Sequence, residues 1–191
     1  LGKDNLDYIS SVENLGALYR MLNKFEVSEK YYLECLSIRE KKLGRNHVSC
    51  ARALSNLGVL HSDMKRFEDA ELSLLEALQI YENTVGIQHS DYELCLNGLI
   101  VLYFRTKQEE KFESMILKAN PILAEHLSRA SRHLSEREFT EYALSKRQYF
   151  DRDNSYLYKS QKQLPSISEI NFDNTLLQKE LLLTFSNRIK N

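Results

Sequence analysis

Apolar residues recur along the first two thirds of the chain at intervals of three and four. Ile9, Val12, Leu15, Leu18, Tyr19 and Leu22 share one helical face, and Tyr32, Leu33, Leu36 and Ile38 share another. The same alternation returns 42 residues later. Leu1-Gly2, Asn14-Leu15-Gly16, Leu18 and Phe25-Glu26 reappear as Leu43-Gly44, Asn56-Leu57-Gly58, Leu60 and Phe67-Glu68. Glu29, Leu33, Glu34, Leu36, Ile38 and Glu40 reappear as Glu71, Leu75, Glu76, Leu78, Ile80 and Glu82. These make 14 identities on one ungapped register of 42 residues, where two unrelated segments share about two or three. A third copy, from Val85 to about His126, keeps His89, Leu99 and Ala119 opposite His47, Leu57 and Ala77, but places Ile100 and Phe112 where small residues stood.

Each copy predicts a helical hairpin. The first helix, A, covers about 5–22, 47–64 and 89–106, and the second, B, about 26–42, 67–84 and 109–126. Gly16, Ser28 and Cys35, then Gly58, Ala70 and Ala77, put small side chains where two helices must approach closely. Gly44 and Gly86 are expected to end their B helices in the left-handed conformation. The expected fold is an all-α solenoid of tandem hairpins: three repeats over 1–126 (about 1–42, 43–84 and 85–126), then a helical extension over 127–191. In that extension Ser135-Glu136-Arg137-Glu138 has the form of a capping box, with Phe139, Tyr142, Ala143, Lys146 and Tyr149 following at helical spacing. A short helix over 151–162, a loop over 163–171 and a last helix through Leu176, Leu177, Leu181, Leu182 and Phe185 complete the expectation.

The repeat resembles the tetratricopeptide repeat in the form found in kinesin light chains. Leu43-Gly44 with His47, Asn56-Leu57-Gly58 with Leu60, Phe67 with Ala70-Glu71, and Glu76-Ala77-Leu78 with Ile80 and Glu82 carry the resemblance. Val48 and Ser90 stand where that family has proline after the His, and the chain has no Trp. The extension resembles the stretch that joins such repeats to a caspase-like CHAT peptidase domain in bacterial proteins. The matching residues are Leu134-Ser135-Glu136-Arg137-Glu138 with Tyr142, and Phe172-Asp173-Asn174 with Leu176, Leu177, Lys179, Leu181, Leu182 and Leu183. The two resemblances imply a protein–protein recognition module serving as the regulatory arm of such a peptidase. The alternative is a free-standing scaffold.

Composition narrows the chemistry further. The 191 residues carry 26 Lys+Arg against 27 Asp+Glu, a net charge of −1, which gives no basic footprint for nucleic acid or an anionic membrane surface. No run of about 18 apolar residues is present to span a bilayer. The first residues, Leu1-Gly2-Lys3-Asp4, have neither an initiator Met nor an apolar leader core, so the chain reads as part of a longer one. Cys35, Cys50 and Cys95 have no CxxC spacing and fall at core positions of helices, as free thiols of a cytoplasmic protein do. None lies in a glycine-rich context that would present a nucleophile, and no catalytic residue, cofactor or metal is expected. The repeated His47 and His89 sit about one helix-packing distance, roughly 10 Å, apart, too far to share a zinc ion, and read as capping or packing residues at the start of the A helices. Tyr142, Tyr149, Tyr156 and Tyr158 read as a packed helix face rather than a stacking platform for bases.

What remains is the groove that, by the family resemblance, the A helices line. The resemblance places Ser10, Glu13, Asn14, Ala17 and Arg20 there from the first copy, and Arg52, Ser55, Asn56, Val59 and Asp63 from the second. Leu94, Asn97, Val101 and Arg105 follow from the third. Asn14, Asn56 and Asn97 suit the backbone of an extended peptide, because each amide both donates and accepts. Arg52 and Arg105 suit acidic side chains of that partner, and Arg20 and Asp63 are further positions on the same face. The competing reading is a solvated polar surface with no partner.

Overall fold

The computed structural model describes residues 6–135, 137–138 and 141–142, and the readings made for 143–191 lie outside them. Six helices follow the repeat: α1 (Leu6–Met21), α2 (Phe25–Leu43), α3 (Val48–Asp63), α4 (Phe67–Thr84), α5 (Ser90–Thr106) and α6 (Glu109–His133). There is no strand among the described residues. The chain divides into two units, residues 1–108 and 109–191. In the first, each B helix packs on its own A helix and on the next: α1 on α2, α2 on α3, α3 on α4, α4 on α5. The A helices α1, α3 and α5 also touch in turn.

The small residues do what their spacing implies. A Cβ on Gly16 would lie 2.7 Å from the Tyr32 ring, and one on Gly58 would lie 2.5 Å from Leu74 Cγ and 3.2 Å from the Ala70 carbonyl. Ser28, Cys35, Ala70 and Ala77 are fully buried, and the Ser28 hydroxyl donates to the Gly16 carbonyl at 2.7 Å. Leu74 reaches further. Its Cδ2 is also 3.1 Å from the Cβ position of Gly98 on α5, so one side chain fills space against glycines of two A helices.

Helix ends repeat as well. His47 and His89 each accept from the backbone two residues on, Nδ1 to Ser49 N and to Asp91 N, both at 3.1 Å. They are the expected caps. Each A helix then closes on a left-handed residue at one register: Asn23, Lys65 and Lys107, with φ of 56°, 62° and 58°. The next N–H reaches back five residues each time, from Lys24 to Tyr19 O, Arg66 to His61 O and Gln108 to Tyr103 O. That is the Schellman closure, made here without glycine. The glycines end the B helices instead, and Gly44 differs from expectation: φ 84° with ψ 154° is not the left-handed helical well but an extended region open essentially to glycine.

In the second unit, α6 runs on to His133 rather than ending near 126. Its buried residues Phe112, Ile116, Asn120, Leu123, Leu127 and Ser131 form one unbroken stripe at spacings of three and four, so nothing in the pattern stops the helix at 126. Pro121 sits exposed within it, forgoing one backbone hydrogen bond. After Leu134 the capping box forms as read: Ser135 N donates to Glu138 Oε2 at 2.9 Å, and Glu138 N to Ser135 Oγ at 3.4 Å.

Candidate functional site

The polar residues of the A helices sort into three groups. The first lies deepest. Glu13 on α1 receives both nitrogens of the Arg39 guanidinium from α2, at 2.6 and 3.2 Å, and Asn56 Nδ2 from α3 at 2.9 Å. The Arg39 and Glu13 side chains keep only 7% and 14% of their exposure. A charge pair at that depth needs each partner to hold the other. Asn56, half-buried, thus spends one amide hydrogen bond within the fold, and removing it would loosen Glu13.

A second group ties each B helix to the next A helix. Glu29 on α2 meets His61 Nε2 at 3.0 Å and also pairs with Arg66. One repeat later Glu71 on α4 accepts from the Tyr103 hydroxyl at 2.8 Å. Burial works to raise the Glu29 pKa, but hydrogen bonds from Arg66 and His61 outweigh it, and the carboxyl lies below its usual value. With the folded pKa depressed, the contribution is fully present above the unfolded value and lost as pH falls through the folded one. Glu29→Gln is accordingly expected to flatten the decline in melting temperature between about pH 5 and pH 3. Equal slopes for the two proteins in a pH-series of thermal melts would show that the clasp carries no linkage.

The third group is half-exposed and brings three expected residues together. Arg20 on α1 donates to Asp63 on α3 at 2.7 Å, and Arg105 on α5 lies 3.6 Å from the same carboxylate while donating to Ser62 Oγ at 3.0 Å. Arg20, Asp63 and Arg105 thus form a row across three A helices, with two cations to one anion. Arg52 is more exposed and lies 3.4 Å from Asp91. Asn14 is exposed and Asn97 is half-buried. The 42-residue register carries Asn14 to Asn56 and then to Gly98, whereas Asn97 falls at the position of Glu13 and Ser55, so the three amides do not occupy equivalent places. Sequence reasoning passed over Arg39, although its place four residues after the buried Cys35 puts it on the inward face.

The thiols are buried at the same interfaces. Cys35 Sγ donates to Ile9 O at 3.5 Å and Cys95 Sγ to Leu74 O at 3.3 Å. Burial pushes their pKa values up to about 11 and about 12, so neither is primed as a nucleophile. Among the described residues no three His, Cys, Asp or Glu side chains gather as a metal site, and no helix is long and apolar enough to cross a membrane.

Comparison with known proteins agrees with the helical-repeat fold. The tetratricopeptide repeat family model matches residues 7–83. A crystal structure of BtubC (BKLC) from P. vanneervenii is similar in fold, with a TM-score of 0.56 at 23% identity. The match covers 60% of this chain and 45% of that one, so the chain spans less than half the length of that relative. No curated protein matches. With a repeated hairpin and small residues at the helix crossings, the chain has an all-α helical-repeat fold whose residues 7–83 match the tetratricopeptide repeat family.

Proposed function

We propose that this chain recognises an extended, acidic segment of a protein partner along the face of α1, α3 and α5, as the regulatory arm of a CHAT-type peptidase. Tetratricopeptide repeats generally mediate protein–protein interaction, and the row Arg20–Asp63–Arg105 is the observation that carries the reading here. Three A helices contribute to it, the side chains stay accessible, and the arginines outnumber the carboxylate. A partner carboxylate approaching Arg20 or Arg105 gains a fork-shaped donor already held in place by Asp63, with little further entropy to lose. Arg52 adds a third arginine on the same helices. The regulatory role draws its support from the resemblance of Leu134–Glu138 with Tyr142, and of the residues after Phe172, to the junction ahead of such peptidases. A downstream domain with a His/Cys pair in the parent protein is what that role requires, and a parent lacking one would leave only the recognition module.

Peptides selected on the wild-type protein from a displayed random library test the face itself. They are expected to be enriched in Asp and Glu. Arg20→Ala with Arg105→Ala is expected to weaken the best of them by about 1–3 kcal/mol in a calorimetric titration. Lys30→Glu on the exposed side of α2 should leave binding unchanged. Unaltered affinity in the double variant, or a loss in the α2 control, would move the binding surface off the A helices.

A further inference from the structure

The hairpins provide their own standard for what an A helix looks like when another hairpin precedes it. On α3 and α5, which pack on α2 and α4, Leu57 and Leu99 are 2% and 0% exposed, and Leu60 and Leu102 are 0% and 1%. Ala53 and Cys95 are fully buried as well. At the same register on α1, Leu15 is 39% and Leu18 50% exposed, and Ser11 is exposed. Leu22 and Met21 extend this apolar face to the end of the helix. A helix that merely faced water would have no reason to keep leucine where its two successors bury leucine.

The polar positions repeat the message. His61 and Arg66 together hold Glu29 of the preceding B helix. One repeat on, Tyr103 holds Glu71. The register places Tyr19 and Lys24 where His61 and Arg66 stand. They lie side by side, with Lys24 Nζ 5.8 Å from the Tyr19 ring centroid and Tyr19 stacked on Tyr31 at 5.5 Å. A phenol donor and an ammonium are thus presented together beside the leucine face. We propose that α1 seats a further hairpin of this same repeat, joined ahead of it, whose B helix covers Leu15 and Leu18 and sets a glutamate against Tyr19 and Lys24. The face continues an interface already made twice in this molecule, and its charge complements the glutamate that α2 and α4 carry at that position.

The test adds residues 43–84 ahead of Leu1 without a spacer, so that Thr84 of the added copy precedes Leu1 as it precedes Val85 in the native chain. Glu71 of the added copy then meets Tyr19 and Lys24. Amide exchange of residues 15–22 is expected to slow by about tenfold or more relative to the native chain. Leu18→Glu or Lys24→Glu should undo the slowing in the extended protein while changing α1 exchange little in the native one. Unchanged exchange, or an extended chain that does not fold by circular dichroism, overturns the proposal, because a matching hairpin must lengthen the stack. Concentration-dependent protection of α1 in the native chain, with a dimer in sedimentation, also overturns it, for the occupant would then be a second copy. Arginine variants of the A-helix face do not enter this readout, so its result stands apart from the peptide-binding one.

Discussion

Leu60→Ala is expected to lower the unfolding free energy by about 2–5 kcal/mol, whereas Leu18→Ala, at the same place in the first repeat, lowers it by about 1 kcal/mol or less. The residue type, the helix and the register are shared, and only the surroundings differ. Leu60 is 0% exposed and Leu18 50%. Truncating the first leaves a cavity that the packed helices α2, α3 and α4 cannot close. Truncating the second removes methyl groups already half in water. Urea denaturation followed by circular dichroism reads both. Equal losses would mean that α1 is buried in solution and that its leucine face is already covered.

Arg39→Leu is expected to cost about 3 kcal/mol by the same measurement, at the low end for breaking a buried ion pair. Glu13 would be left with only Asn56 to answer it, and it retains enough exposure for water to moderate the penalty. Adding Glu13→Gln to Arg39→Leu should restore part of the loss, because an amide needs no counter-charge. The coupling between the two sites, taken from a double-mutant cycle, is the sharper number, and a value near zero would show that the pair contributes little as a pair.

Much of this was legible because the repeat states each rule more than once. Leucines recurring 42 residues apart fixed the helices, and glycine and alanine at fixed offsets marked the crossings later seen at Gly16 and Gly58. The histidine caps could be read for the same reason: His47 and His89 stand just ahead of helix A in both copies. What escaped notice was non-repetitive or depended on partners far apart in sequence. Arg39 and Glu13 are 26 residues apart and have no counterpart pair in the next copy, where Tyr81 and Ser55 stand. The hairpin turns escaped for another reason. Lysine rarely takes a left-handed backbone, and Lys65 and Lys107 adopt it because the five-residue closure behind them over-determines the turn. The three asparagines are not equivalent positions, because Asn97 is one residue out of register, a displacement of about 100° around a helix.

Leu74 has a consequence for how this sequence can change. Its side chain lies against the Cβ positions of Gly58 and of Gly98, on two different A helices. A larger residue at either glycine claims volume that the leucine already occupies, and a smaller residue at 74 opens a void that both helices line. Substitutions at 58, 74 and 98 therefore cannot drift independently. Among descendants of this chain a gain of side-chain volume at 58 or 98 should arrive together with a loss at 74, a three-way bond of inheritance between positions separated by up to 40 residues that no pairwise reading along a single hairpin would connect.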